Sequence, residues 1–339
     1  MMDLNTTWFL LLFVLLAGYL ILDGFDLGVA VLHLFARNER ERRIHLSAVG
    51  PVWDGNEVWL LTAGGAMFAA FPVMYATVFS AFYLAFMLLL FALIFRAVSL
   101  EFRSQIEHAG WRRFWDGAFG FSSLVTAILL GVVMGNVLRG LPIAADGSLT
   151  IAFLALLNPY AILLGALSAA MLVMHGALYL AARTEGDLQQ RTAHWASGAW
   201  VAFVTLYAAA MVATRFVSPF LFEGVLARPL FWIFVLGWLA SVGWIPVMLK
   251  AGGFVRAFLL SSGAIASTMG LIAVSLFPRL VPSSVDLEYS LTIYNAASTP
   301  RTLTVMFVIV LVGIPAVLAY TAYVYKIFMG KVKLGAEGY

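Results

Sequence analysis

Cysteine is absent from the 339 residues, and charged residues are scarce. Without cysteine the chain cannot form disulfides, thiolate metal sites, iron–sulfur ligation or a cysteine nucleophile. Charged residues make up 11% of the chain, whereas a soluble domain carries roughly 25%. The chain therefore has too little polar surface to cover a globule in water.

The common motifs of soluble enzymes are also missing. The sequence contains no Gly-rich phosphate loop followed by Lys and Ser or Thr, no dinucleotide fingerprint and no HExxH motif. The net charge of +3 does not indicate nucleic-acid binding, because the Lys and Arg residues of a membrane protein usually lie in cytoplasmic loops. We therefore looked for chemistry among the ionisable residues inside hydrophobic runs.

Long apolar runs are the main feature that is present. Hydrophobic residues make up 63% of the chain and the mean hydropathy is +0.97, while a membrane span needs about 20 mostly apolar residues. We predict an all-α integral membrane protein with about nine transmembrane helices. The predicted spans are 8–35, 51–71, 74–98, 116–138, 158–182, 195–216, 229–250, 254–277 and 303–328.

The distribution of positive charge predicts the orientation of these spans. With the N-terminus outside, the outside segments hold only Arg139, Arg215, Arg228, Arg279 and Arg301. The other fifteen of the 20 Lys and Arg residues then lie inside. This excess predicts an outside N-terminus and an inside C-terminus, which requires an odd number of spans.

A weak internal similarity suggests two four-helix units. Gly18–Gly24 and Ala170–Gly176 both place a polar residue before a glycine, and each runs on to an arginine. We predict a first unit over 1–138, a second over 139–277, and an outside loop, peripheral helix and cytoplasmic tail over 278–339. Apolar sequences often match by chance, so a true repeat and a chance match remain alternatives.

Acidic residues inside the first two spans are the strongest functional signal. Asp23 and Asp26 lie three residues apart in the first span, and Asp54 and Glu57 repeat that spacing at the start of the second. Residues three apart lie close to one helix face, and the predicted orientation places them in the cytoplasmic half of the membrane. Arg96, near the end of the third span, is the expected neighbour, and Glu101 follows it.

Two interpretations of this acidic cluster are open. Ionised carboxylates repel one another in a low dielectric, so some must be protonated, or bridged by Arg96 or a cation. Such a row can pass protons inward from the cytoplasm or hold a cation. Alternatively the carboxyl groups cap helices and pair with loop arginines, while Arg96 extends to the interface.

Haem bound by this chain alone is not expected. His175 is the one ionisable residue inside the fifth span, and we interpret it as a hydrogen-bonded packing residue. The other histidines fall at span ends or in loops, and we predict no metal site. Two glycine pairs at i and i+4, Gly24 with Gly28 and Gly131 with Gly135, predict close helix packing.

Several segments of the chain resemble a known family. The sequence is similar, from about residue 8 to 328, to subunit II of cytochrome bd-type quinol oxidases, including their cyanide-insensitive branch. The segments that carry the resemblance are Leu22–Gly28, Trp53–Trp59 with Thr62–Ala66, Phe95–Arg96 with Glu101–Arg103, Trp111–Arg112, Gly131–Asn136 and Ser290–Ala296.

The resemblance implies a fold, cofactors and partners. Members of this family have nine helices, arranged as two four-helix bundles and a peripheral helix, in the bacterial cytoplasmic (inner) membrane. They pair with a subunit I that holds the haems (haem b and haem d, or b-type variants) and the main quinol site. The complex oxidises membrane quinol and reduces dioxygen to water with protons from the cytoplasm. Some members hold a structural quinone in subunit II, and small single-span subunits and bound lipid are open additions.

The resemblance also implies roles for individual residues. Asp26, Asp54 and Arg96 match positions proposed for a cytoplasmic proton route toward the haems. Asp23 lies in the same motif, and Glu101 matches a neighbouring acidic position. Glu57 occupies a position where relatives often carry Gln, which weakens a role special to that carboxyl group. Trp53 and Trp59 are candidates for quinone or structural contacts.

Two other functions fit the same composition. A secondary transporter or cation antiporter would use the same carboxylates, and it would have broken helices at mid-membrane in both halves. The second half has no charged break to match the first. A pure assembly scaffold is the third alternative.

Overall fold

The computed structural model describes residues 3–328 and 330–332, and they form an almost entirely helical protein. The predicted tail beyond residue 332 lies outside the described residues. The α-helices are α1 (Leu4–His33), α2 (Glu39–Val49), α3 (Trp53–Ala70), α4 (Pro72–Ala81), α5 (Tyr83–Phe102), α6 (Ala109–Arg139), α7 (Pro159–Arg183), α8 (Gly186–Val217), α9 (Pro229–Lys250), α10 (Phe254–Leu276) and α11 (Pro300–Ile327). Short 3₁₀ helices occupy Arg103–Gln105, Phe153–Leu156, Pro219–Phe222, Val225–Ala227 and Leu287–Tyr289. Strands β1 (Arg279–Val281) and β2 (Leu291–Thr292) form an antiparallel pair in the loop before α11.

The chain is an all-α membrane protein, as the sequence predicts. Eight helices of the described chain are long and apolar enough to cross a membrane, namely all but α2, α3 and α4. The ninth predicted span, 51–71, is present as the 18-residue helix α3. Asp54, Asn56 and Glu57 lie in its first two turns, and α3 is not among the helices apolar enough to count as spans. The expected nine spans thus correspond to eight apolar helices and one helix with a polar start.

Helix α3 nevertheless runs the length of the bundle, antiparallel to α1. Asn56 near its start contacts Asp26, and Trp59 packs on Gly18. At its other end the Ala70 carbonyl accepts the Ser298 N–H at 2.8 Å, just before α11 begins. α3 therefore spans the same depth as the helices beside it.

Sequence reasoning was wrong about the third span, which is two helices and not one. Phe82 separates α4 from α5 with φ −101° and ψ 20°. Its N–H still donates to the Val78 carbonyl at 2.9 Å, so the chain turns without losing its hydrogen-bond ladder. The preceding break, at Phe71-Pro72, was anticipated, because proline cannot donate into a continuing helix.

Capping side chains and prolines set where several helices begin. Asp3, Asn158 and Thr299 are N-caps that accept N–H groups of the first turns of α1, α7 and α11. Proline opens α4, α7, α9 and α11, where its missing N–H costs no helical hydrogen bond. These signals explain why the predicted starts of α7 and α9 fall within one residue of the observed ones.

Both glycine pairs lie at close helix crossings, which confirms the packing prediction. A side chain added at Gly28 would overlap the Leu172 carbonyl oxygen and come within 2.9 Å of the Gly176 Cα. One added at Gly135 would lie 2.8 Å from the Ala161 Cα. Helix α7 thereby packs backbone to backbone against both α1 and α6.

The outermost helix is α11, which buries only Leu303 among its described side chains. It starts at the same end of the bundle as α1, where the Trp8 indole donates to the Leu303 carbonyl at 3.0 Å.

Since α7 packs on α1 and α6 as well as on α8 and α10, the boundary between the units 1–138 and 139–277 remains a prediction.

Helix α2 was missed by sequence reasoning, which placed its charges in a loop. It lies across the ends of the helices that surround it: the Tyr179 hydroxyl of α7 donates to the Ala48 carbonyl at 2.9 Å, and Glu41 pairs with Arg191 of α8. The negative charges of Glu39 and Glu41 in its first turn interact favourably with the helix dipole, and Asn38 caps the helix. α2 leads through Gly50–Val52 directly into the start of α3.

Candidate functional site

A buried ion pair lies at the centre of the predicted acidic cluster. Asp23 on α1 and Arg96 on α5 are both completely inaccessible. The Arg96 guanidinium donates to both carboxylate oxygens of Asp23, one at 2.7 Å from Nη1 and the other from Nη2. The alternative in which Arg96 extends to the interface is therefore wrong.

Two further carboxyl groups approach the same guanidinium without a direct hydrogen bond. Asp26 Oδ2 lies 3.9 Å from Arg96 Nη2, and Glu57 Oε2 lies 4.0 Å from Arg96 Nη1. The buried oxygens Asp26 Oδ1 and Glu57 Oε2 have no hydrogen-bond partner among the described residues. One cation thus faces three carboxyl groups, and two of them have spare capacity to hold a proton.

An amide and a phenol complete the cluster, and sequence reasoning missed both. The Asn56 Nδ2 donates to Asp26 Oδ2 at 2.7 Å, and the Tyr325 hydroxyl of α11 donates to Asn56 Oδ1 at 2.9 Å. Asn56 was visible between Asp54 and Glu57 in the motif. Tyr325 lies 269 residues away in an apolar helix, so no local signal could place it here.

The remaining predicted site residues lie outside this buried group. Asp54 is exposed one turn before Glu57, whose side chain is 21% exposed. Glu101 is exposed at the end of α5, and the structure does not bring it to the cluster. Trp59 packs its ring on Gly18, and Trp53 packs at the edge of the core. The predicted roles of these residues remain predictions.

A second polar cluster, centred on Asp116 of α6, was not predicted. Asp116 accepts from Arg103 Nε at 2.5 Å and from Arg42 Nη1 at 3.0 Å, and it contacts His33 Nε2 at 2.7 Å. Arg103 also donates to Glu39 at 2.9 Å. The sequence signal was a single acid at the start of an apolar helix. This cluster ties α2 to the ends of α1, α5 and α6.

His45 of α2 is buried beside this cluster without a hydrogen bond. Its ring centroid lies 5.8 Å from that of His33, and both of its ring nitrogens lack a partner in the chain. Burial, and next the nearby His33 and Arg191, lower the pKa of His45 to about 3. A neutral His45 is therefore part of the folded contact between α2 and the bundle.

His175 is held as the packing residue that the sequence predicted. Its Nδ1 contacts the Ser261 hydroxyl at 2.6 Å and its Nε2 contacts the Ile21 carbonyl at 2.9 Å. Its ring stacks on Phe258 with centroids 4.6 Å apart. Since both ring nitrogens are engaged, His175 has none left to bind a haem iron.

Two adjoining apolar cavities lie between the helices of the bundle. The larger, of about 290 Å³, is lined from α7 to α10, and the smaller, of about 110 Å³, continues toward Tyr19 on α1. Tyr207 and Thr268 line both of them, and the indole Nε1 of Trp238, beside the larger, is buried without a partner. Neither Trp53 nor Trp59 lines these two cavities.

Comparison with known proteins gives one consistent result. The family model described as "Cytochrome bd terminal oxidase subunit II" matches residues 4–328. The cytochrome bd-I ubiquinol oxidase subunit 2 of Escherichia coli strain K12 is 36% identical, over 97% of this chain and 95% of that protein. The cytochrome bd ubiquinol oxidase subunit 2 of Bacillus subtilis strain 168 is 37% identical, over 98% of each.

A solved structure supports the same fold. A chain of the bd oxidase from Geobacillus thermodenitrificans superposes with a TM-score of 0.79 at 15% identity, covering 97% of this chain and 99% of that one. The family implies haem cofactors in a complex with a subunit I. This multi-pass membrane chain belongs to the family of subunit II of the cytochrome bd terminal oxidases, and it is part of a bacterial respiratory quinol oxidase.

Proposed function

We propose that this subunit takes up protons from the cytoplasm and delivers them to its haem-bearing partner. Asp54, which is exposed, collects the proton. Glu57, one turn along α3 and 4.0 Å from Arg96, receives it next, and Asp26 and Asp23 form the buried end of the route. Each of these carboxyl groups can hold a proton on an oxygen and release it to a neighbour.

The observation that carries this proposal is that more carboxyl groups surround Arg96 than an ion pair needs. A structural ion pair needs one carboxylate, and Asp23 already supplies both oxygens to the guanidinium. Two more carboxyl groups within about 4 Å of Arg96 add desolvation cost without adding a hydrogen bond to it. Such costly groups in a membrane protein mark routes for ions or protons.

We propose that the partner subunit covers the outward face of α3. Asp54 is exposed there, and a side chain added at Gly55, Gly64 or Gly65 would meet no atom within 4 Å. Glycines let a second helix approach closely.

The haems, of b and d type or b-type variants, are assigned to subunit I. Two observations support this assignment: His175 uses both ring nitrogens, and His33 and His45 pack together under α2. When bound, the haems supply electron transfer and dioxygen reduction. This chain then contributes protons and the assembly surface.

A structural quinone is proposed for the apolar cavity between α7 and α10. The volume of about 290 Å³ and the apolar lining fit part of an isoprenoid quinone. The unpartnered Nε1 of Trp238 is a donor that a quinone carbonyl oxygen would satisfy. The quinone contacts predicted for Trp53 and Trp59 have no such support.

The proposed route also requires the predicted orientation. α1 and α11 run in the same direction, so their cytoplasmic ends coincide if the N-terminus lies outside. The open end of the route at Asp54 then faces the cytoplasm of a bacterial inner membrane. The alternative of a cation antiporter is not favoured, because the relatives named above are oxidase subunits.

Asp54→Asn tests the proton route in the assembled oxidase. The amide cannot carry a proton between carboxyl groups, so quinol-driven oxygen uptake should fall at least tenfold, as for the loss of a positioned proton carrier. Glu107→Gln is the matched control. Glu107 is an exposed acid that follows α5, at the end of the bundle where α3 begins.

The visible spectrum of the reduced haems measures assembly in the same samples. Normal haem content with slow uptake for Asp54→Asn, and normal uptake for Glu107→Gln, support the route. Wild-type uptake by Asp54→Asn across the pH range would remove Asp54 from it.

A further inference from the structure

The hydrogen-bond chain from α11 to Asp26 has a defined direction. The Tyr325 hydroxyl donates a hydrogen bond to Asn56 Oδ1 at 2.9 Å, which leaves the Asn56 amide N–H groups to face Asp26. Asn56 is 2% exposed, so its amide has no water to turn toward. The phenol therefore sets which end of the amide meets the carboxyl group.

This direction distinguishes the two oxygens of Asp26. Oδ2 accepts the Asn56 N–H at 2.7 Å and faces Arg96 at 3.9 Å, whereas Oδ1 is buried without a partner. A proton on Asp26 consequently lies on Oδ1, because Oδ2 already accepts. Since Asp23 neutralises Arg96, a second full negative charge on Asp26 would lack a counter-charge, and the neutral acid is the form that burial favours.

Tyr325 is anchored well enough to act in this way. Its ring meets Phe25, which lies between Asp23 and Asp26 on α1, edge to face at 6.4 Å. Beyond α11, the Val332 N–H donates to the Arg183 carbonyl at 2.8 Å and Lys331 Nζ donates to the Thr184 carbonyl at 2.7 Å. The peripheral helix is thus tied to the bundle at the end where Tyr325 lies.

We propose that Tyr325 is a positioning residue for proton transfer at Asp26: through Asn56 it orients the carboxyl group so that Oδ1 carries the proton. The inference rests on the proposed proton route and adds a residue of α11 to it. The groups that face Asp26 from the surrounding helices are Asp23 on α1, Asn56 and Glu57 on α3, Arg96 on α5, Tyr179 on α7 and Tyr325 on α11.

Tyr325→Phe in the assembled oxidase is the test. The phenyl ring keeps the contact with Phe25 and loses only the hydroxyl, so haem content should not change. Loss of one hydrogen bond should slow quinol-driven oxygen uptake about twofold to twelvefold. Tyr323→Phe is the matched control, because Tyr323 is 63% exposed on the same helix.

Infrared difference spectra provide a readout that a merely structural role would not change. The carbonyl stretch of a protonated carboxylic acid that disappears in Asp26→Asn is assigned to Asp26, and Tyr325→Phe should shift it. An unshifted band together with wild-type uptake would overturn the positioning role of Tyr325. Unchanged uptake in Asp26→Asn would instead overturn the proton route, while the band would still report how Tyr325 orients Asp26.

Discussion

Replacing His45 by leucine should remove a pH-dependent weakness of helix α2. His45 is fully buried against His33, and burial lowers its pKa to about 3 from an ordinary value of 6.5. Above pH 6.5 the ring is neutral whether α2 is docked or open, so it imposes no electrostatic cost. As the pH falls below 6.5, the open state binds a proton that the docked state excludes, and docking weakens.

The pKa values give the size of the effect. Each pH unit between 6.5 and about 3 costs about 1.4 kcal/mol of docking free energy. At pH 5 the wild-type helix should have lost about 2 kcal/mol, which is about a 30-fold rise in its open population. Glu41, a half-buried acid of α2, remains mainly ionised at pH 5. Partial burial opposes its charged form, but the Arg37 N–H and Arg191 outweigh that effect, lower its pKa below 4.5, and keep it ionised at pH 5.

Hydrogen exchange of the α2 amides in the purified oxidase measures this directly. After correction for intrinsic exchange, protection in the wild type should fall about 30-fold between pH 7 and pH 5. In His45→Leu the loss of protection should be much smaller, since leucine fills the apolar site without titrating. His194→Leu, at an exposed position of α8, should behave as the wild type. Equal loss of protection in the wild type and in His45→Leu would refute the burial argument.

Two further predictions concern the stability of the complex. Gly28→Ala should destabilise the complex by about 1–3 kcal/mol, because the methyl group overlaps the Leu172 carbonyl. Thermal loss of the haem spectrum measures this change. Gly198→Ala is the control, because its methyl group meets open space. Arg96→Leu should cost about 3–5 kcal/mol by leaving Asp23 buried without a counter-charge, and Asp23→Leu in the same chain should recover part of that loss. A double variant no more stable than Arg96→Leu would contradict the pairing.

The helices could be predicted because each is a local property of its own sequence. Apolar runs and opening prolines place α7 and α9 to within a residue. The break at Phe82 has no such signal, since an aromatic residue in an apolar run reads as continuous helix. Helix α2 was missed because its charges make it resemble a loop, and it is held by long-range contacts such as Glu41 with Arg191.

The site was predictable only as far as charge in an apolar run is informative. Asp23, Asp26 and Arg96 each stand out in a hydrophobic segment, and their convergence follows once three consecutive spans are antiparallel. Asp116 is equally isolated, but it falls at a span end, where a solvated cap is the simpler expectation. Asn56 and Tyr325 carry no charge, and only the docking of α11 brings them together.

What the structure adds is a reason for the order of the carboxyl groups. Exposure decreases from Asp54 through Glu57 to Asp26 and Asp23. Glu57 and Asp26 lie about 4 Å from Arg96, whereas Asp23 accepts two hydrogen bonds from it. On the proposed route, a proton would thus leave groups that water can stabilise for buried groups that Arg96 and Asn56 contact. Asp26 Oδ1, which accepts no hydrogen bond from the described residues, is the oxygen expected to hold the proton last on that route.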